Sequence, residues 1–126
     1  MKGAEMNMTI LTVDDSRTMR DMLKLALTSA GFRVIQAEDG MDGLQVLQQE
    51  TPQVIITDIN MPRLDGFGFI ERVRTTEKYR AVPILVLTTE SDAAKKSRAR
   101  NAGATGWIVK PFDAVKLVDA VRRVAA

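Results

Sequence analysis

The sequence contains no cysteine and no histidine. Without cysteine, disulfides, thiolate nucleophiles and thiolate metal sites are excluded, and the chain suits a reducing compartment. Without histidine it lacks the usual general base near neutral pH and the commonest zinc ligand, so any metal must be held by oxygen atoms. Aromatic residues make up only 5% of the chain, with one Trp and one Tyr, too few for a base-stacking platform. A net charge of +2 is too mild to argue for a nucleic-acid partner. No apolar run approaches the roughly 18 residues of a membrane span, and the opening MKGAEMNM lacks the apolar stretch of a signal peptide. The expectation is a cytoplasmic protein that binds neither nucleic acid nor membrane, and whose chemistry is that of carboxylates or of plain binding.

What the chain does have is size and order. Its 126 residues suffice for one domain with a sizeable core, and 45% apolar with 27% charged residues is a globular balance. Residues 1–7 read as an N-terminal extension and residues 8–126 as the domain. Five short runs rich in Val and Ile read as buried strands: MTILTV (8–13), RVIQA (33–37), QVIITD (53–58), PILVLT (83–88) and GWIV (106–109).

Segments of helical spacing alternate with them. Met19, Met22, Leu23, Ala26, Leu27 and Ala30 form one apolar stripe, with Ser16 as N-cap and Gly31 as the stop. Met41, Leu44 and Leu47 form a second that ends before Pro52, and Phe67, Ile70 and Val73 a third. Ala114, Leu117, Val118, Val121 and Val124 form the last, opened by Asp113. The fourth segment, SDAAKKSRARNAG (91–103), has alanine as its only apolar residue. At about 25 cal/mol per Å² of buried apolar surface it can anchor only weakly, and a helix that shifts easily is expected.

Strand and helix alternating in this way imply an α/β fold, a doubly wound parallel sheet covered by helices on both faces. Ligands of such sheets bind beyond the carboxyl ends of the strands. Asp14 and Asp15 follow the first strand, Asp58 closes the third, Thr88 and Thr89 close the fourth, and Lys110 follows the fifth. Any one of these has an ordinary explanation as a cap, a turn former, a β-branched residue or a solvated charge. Converging on one rim, three carboxylates would raise at least one pKa unless a cation is present. Mg2+, which combines carboxylates with waters and phosphate, suits such a rim. The chain offers DDS after its first strand where a nucleotide site would have a glycine-rich turn, so a bare phosphate would be repelled.

The paired Asp14 and Asp15, TDINMPRLDG around Asp58, LTTE from Leu87 and GATGWIVKPF around Lys110 together resemble the receiver domain of two-component response regulators. The resemblance spans nearly the whole chain and is nearest to the single-domain chemotaxis regulators. It implies a five-stranded flavodoxin-like sheet of order 2-1-3-4-5. It also implies that Asp58 accepts a phosphoryl group, and that Asp15, Asp58 and the Asn60 carbonyl ligate Mg2+ with Asp14 acting mainly through water. Lys110 would pair with Asp58 and then with the phosphoryl group, Thr88 would bond another phosphoryl oxygen, and Asn60 and Glu90 would modulate attack by water. Asn60 and Glu90 match the pair of fast-turnover regulators, which implies a short-lived phosphorylated state.

Two positions depart from the family pattern. Trp107 stands where the family has a smaller switch aromatic, and it reads either as that switch or as a surface aromatic packed on the fourth helix. Thr89 stands where Ala or Gly is more usual and would crowd the phosphoryl pocket. The chain ends two residues after Val124, so output by contact is expected. The expected contact face combines the fourth helix, fifth strand and fifth helix with the basic run Lys95, Lys96, Arg98 and Arg100. The implied partners are a histidine kinase as donor, a flagellar motor switch protein as target and a phosphatase, with the protein itself a monomer and a phosphoacceptor switch instead of a turnover enzyme. Two other outcomes stay open: a phosphate sink or relay, and an Mg2+-dependent phosphohydrolase.

Overall fold

The computed structural model describes residues 8–126, so the expected extension at 1–7 lies outside the described residues. Five strands, β1 (Thr9–Val13), β2 (Arg33–Ala37), β3 (Val54–Thr57), β4 (Ile84–Thr88) and β5 (Gly106–Val109), alternate with five helices. The helices are α1 (Arg17–Ser29), α2 (Gly40–Leu47), α3 (Gly66–Thr75), α4 (Ala93–Ala102) and α5 (Ala114–Ala125), with a 3-10 turn at Glu77–Tyr79. All strand pairs are parallel and the order is β2-β1-β3-β4-β5, as the resemblance implies.

The two-residue period of the strands divides the core. Ile10, Ile56, Leu85 and Leu87 face α1 and α5, where they meet Leu23, Leu27, Leu117, Val118 and Val121. Leu11, Val13, Ile55, Ile84 and Val86 face the other way, onto Leu47, Phe69, Ile70, Val73 and Ala99. The central strands β1, β3 and β4 are buried along their whole length, which is why they read as unbroken apolar runs. Each helix starts on a side-chain cap: Ser16, Asp39, Asp65, Asp92 and Asp113 each accept a backbone N–H of the first turn. Gly31 and Gly103 take φ of +98° and +118° at the ends of α1 and α4, values that favour glycine.

Three residues placed on apolar stripes by their spacing, Met22, Met41 and Ala114, are exposed and not core residues. Met22 is 46% exposed and Met41 40% exposed. In α1 the inward line is Met19, Leu23 and Leu27, at four-residue steps, and Met22 sits beside it on the solvent edge. The α4 helix matches its expected poverty: Ala99 is its one buried residue.

Two cross-links join loops at opposite edges of the sheet, and neither is visible in the sequence pattern. Buried Asp39, the cap of α2, receives Arg63 through two bonds, Nε to Oδ2 at 2.7 Å and Nη2 to Oδ1 at 3.0 Å. Arg63 lies in the loop after β3 with φ +66°, an uncommon region for a residue with a Cβ, and the bidentate pair holds it there. Arg74 of α3 donates to the carbonyls of Gly103, Arg80 and Val82 at 2.9, 2.9 and 2.6 Å, tying the end of α4 to the chain before β4.

Asp39→Ala is expected to cost about 1–2 kcal/mol at neutral pH through loss of the cap. The Arg63 guanidinium holds the Asp39 carboxyl below the usual carboxylate range. Its stabilising contribution is therefore present above the unfolded value near 3.9 and is lost as pH falls through the lower folded value. Urea unfolding at pH 7 should separate the two proteins, and the gap should narrow under acid conditions. Gly66 provides a sharper test of packing, since a Cβ there would lie 2.3 Å from the Asp58 carbonyl oxygen and 2.8 Å from Ile59 Cα, both backbone atoms. Gly66→Ala should cost about 3 kcal/mol, the upper end for overpacking. At Gly68 the nearest obstacle is the flexible tip of Leu64, so Gly68→Ala should be the milder change in the same assay.

Candidate functional site

Register brings the strand ends together. Val13 is level with Ala37 and Thr57, and Thr88 with Val109. Main-chain bonds continue past those ends, from Asp14 N to Ala37 O, Asp58 N to Val13 O and Lys110 N to Thr88 O. Asp14, Asp58 and Lys110 therefore leave the sheet as one ledge. A parallel sheet does this by construction, because every strand runs toward the same edge.

Lys110 Nζ donates to Asp58 Oδ2 at 2.8 Å and to Asp14 Oδ2 at 2.9 Å. The lysine follows β5 and precedes a cis peptide bond to Pro111. Its side chain is 11% exposed, that of Asp58 11% and that of Asp14 2%, so this ion pair is largely shielded from water. The second oxygen of each carboxylate meets its own turn: Asp14 Oδ1 accepts Ser16 N at 2.9 Å and Asp58 Oδ1 accepts Ile59 N at 2.6 Å. Burial raises the Asp14 carboxyl above its usual range, against the opposing bonds from Lys110 and Ser16. Burial also acts to lower the Lys110 ammonium, but its bonds to Asp58 and Asp14 carry it above its ordinary value.

Asp15 is exposed at the mouth, and one oxygen from each of Asp14, Asp15 and Asp58 lies within 4.8 Å of the others. An oxygen-only set of this size fits a hard divalent cation such as Mg2+, with waters completing the shell. Between Asp14 and Asp15 the structure distinguishes a buried carboxylate already bonded to Lys110 from an exposed one facing the solvent.

Thr88 is fully buried at the end of β4, where its Oγ1 accepts Glu90 N at 3.3 Å. Thr89 is exposed. Asn60 and Glu90 meet directly, Asn60 Nδ2 donating to Glu90 Oε2 at 2.9 Å, while Glu90 Oε1 accepts Lys95 Nζ of α4 at 2.9 Å. Lys95 first and Asn60 second hold the Glu90 carboxyl below its usual range.

Trp107 is half-buried against the core and lines a hollow of about 70 Å³ with Lys96, Ala99 and Arg100. The basic run divides by contact. Lys95 is committed to Glu90, Arg98 stacks its guanidinium 4.0 Å from the Phe67 ring centre, and Lys96 and Arg100 border Trp107. The sequence pattern gave no sign of the Arg98 stacking or of the Lys95 bond, because each depends on how α4 is seated.

The family model for the response regulator receiver domain matches residues 10–122. A probable chemotaxis protein CheY of Rhizobium etli is 37% identical over 91% of this chain and 90% of its own length. The crystallised chemotaxis protein CheY4 of Vibrio cholerae shares 42% identity, with a TM-score of 0.90 over 94% of this chain and 98% of that one. The receiver domain of the Pseudomonas aeruginosa sensor kinase PA1611, solved with magnesium in its active-site cleft, shares 27% identity at a TM-score of 0.88 over 94% and 98%. With the ledge of carboxylates and its lysine in place on that fold, this chain belongs to the response regulator receiver domain family, whose members are phosphoacceptor switches.

Proposed function

We propose that this protein is a chemotaxis response regulator that takes a phosphoryl group from a histidine kinase onto Asp58. The observation that carries the reading is the Lys110 bridge: one shielded ammonium holds Asp58 Oδ2 and Asp14 Oδ2 at 2.8 and 2.9 Å on the rim where such sheets bind ligands. The chemotaxis assignment draws on the Rhizobium and Vibrio relatives named for that process.

Asp58 is the nucleophile, and its carboxylate oxygen attacks phosphorus to give an acyl phosphate. Lys110 holds that carboxylate in place beforehand and afterwards meets the charge of the phosphoryl oxygens. Asp14, Asp15, Asp58 and the Asn60 carbonyl would hold Mg2+, which when bound neutralises charge that builds during transfer. Thr88 Oγ1 stands at the next strand end, ready to donate to a phosphoryl oxygen. The new group brings about −1.5 to −2 charge and three strong acceptors, enough to draw in Thr88 and bias the seating of α4. That helix buries only Ala99, so little packing resists the change.

The proposed output is contact with an acidic surface of a flagellar motor switch protein, through Trp107, Lys96 and Arg100. A cytoplasmic location and a phosphatase acting on the acyl phosphate complete the reading. The Asn60–Glu90 pair is assigned to control of water attack, giving a short-lived phosphorylated state.

Titrating beryllofluoride, a phosphoryl mimic, with Mg2+ while following Trp107 fluorescence should give a saturable change that vanishes in Asp58→Asn and on chelation of the metal. A full response in Asp58→Asn would overturn the site assignment. Charge reversal at Lys96 and Arg100 should weaken motor-protein binding by about tenfold through lost electrostatic complementarity. It should leave phosphorylation from acetyl phosphate intact. A phosphorylated half-life of hours in purified protein with Mg2+ would remove the role given to Asn60 and Glu90.

A further inference from the structure

Glu90 is held from two sides. Its Oε2 accepts Asn60 Nδ2 at 2.9 Å and its Oε1 accepts Lys95 Nζ at 2.9 Å, while its main-chain N–H reaches Thr88 Oγ1 at 3.3 Å. One oxygen is thus committed to the rim and the other to the first turn of α4. Neither Glu90 nor Lys95 is deeply buried, with side chains 26% and 42% exposed, so this pair adds little to the stability of the fold. Among the described residues, Lys95 alone of the basic run bonds a side chain of the rim.

We propose that Lys95 is a positioning residue that sets the lifetime of the acyl phosphate by holding Glu90 closed across Asn60. The inference rests on the reading of Asp58 as phosphoacceptor. A phosphoryl group there places about −1.5 to −2 charge on the rim. An unrestrained Glu90 carboxylate is driven away from that charge, since like charges at close range are costly. The Lys95 ammonium offsets the repulsion and keeps the side chain at the rim, where it occupies the Asn60 amide donor and slows, without stopping, the attack of water that keeps the phosphorylated state short-lived.

Hydrolysis needs that water. Its oxygen forms a bond to phosphorus, the bond from phosphorus to the Asp58 oxygen breaks, and the electron pair returns to the Asp58 carboxylate. Inorganic phosphate leaves and the water's proton passes to solvent. Loss of Lys95 therefore opens the gate and speeds this step, while the entry of the phosphoryl group, which depends on Asp58, Lys110 and the cation, is left as it was.

The test loads the full chain with radiolabelled acetyl phosphate and Mg2+, removes the donor and follows the label remaining on protein. Lys95→Met should shorten the lifetime by about fivefold, the effect of losing an ion pair at the strong end of the exposed range. Lys95→Arg should restore the wild-type lifetime, and Lys24→Met, an equal charge change on α1, should have no effect. In a Glu90→Gln background the Lys95→Met change should also have no effect, because the charge it holds is already gone. The melting temperature and the loading rate should follow the wild type throughout. An unchanged or lengthened lifetime in Lys95→Met overturns the proposal. So does a shortening that persists with Glu90→Gln or is reproduced by Lys24→Met. A wild-type protein that takes no label at Asp58 overturns the phosphoacceptor reading itself, which separates that failure from this one.

Discussion

Lys110 is the charge on which the rim depends. Its ammonium lies within 2.9 Å of both Asp14 and Asp58, in surroundings where a carboxylate without a partner would be costly. Folding raises the Asp14 pKa, so the native state binds that proton more readily than the unfolded chain does. Stability contributed at this group is greatest below the usual carboxylate range and is given up as pH rises through it. Burial thus works against the ionised form of Asp14 while the bonds from Lys110 and Ser16 favour it, an opposition that an exposed carboxylate would not face.

The architecture explains how three distant pieces of sequence meet that ammonium. Lys110 lies 96 residues from Asp14 and 52 from Asp58 along the chain, yet each residue is one step beyond a strand of the same parallel sheet. Central strands buried on both faces leave little freedom in register, since a one-residue slip would turn each apolar set the wrong way. The close approach of Gly66 to the Asp58 carbonyl and the Arg63–Asp39 pair then fix the loop that carries Asp58. The core and these loop contacts hold the rim in place.

Much of this was legible in the sequence. Strand ends at DD, TD, LTT and VKP place the polar residues on one edge once the strands are parallel, and the period of the apolar residues assigns the sheet faces. The readings that failed or were missing have a common cause. Met22 and Met41 lie on the expected stripes but at their solvent borders, and a stripe's width is set by the neighbouring helix, not by spacing. The Arg63–Asp39 pair, the Arg74 clamp, the Arg98–Phe67 stacking and the Lys95–Glu90–Asn60 chain are all long polar side chains reaching between elements. Arg and Lys have many rotamers and no periodic signature, so their partners emerge only when the backbone is folded around them.

Those same side chains decide how α4 behaves. With one buried residue, the helix gains little from apolar burial and is seated by directional contacts at separate points: Lys95 to Glu90 near its start, Arg98 on Phe67 at its middle, and Gly103 to Arg74 at its end. The Arg74 bonds go to main-chain carbonyls and hold whatever the charge at the rim, so that end acts as the fixed point. The Lys95 end is joined through Glu90 to Asn60, two residues from Asp58, and feels any charge added there. A helix pinned at its far end and held by an ion pair at its near end has less apolar packing to give up in a shift than a well-packed apolar helix would. Having alanine as its only apolar residue looks like poor packing, but under the proposed phosphorylation of Asp58 it is what would let a change of charge at one carboxylate reach a surface.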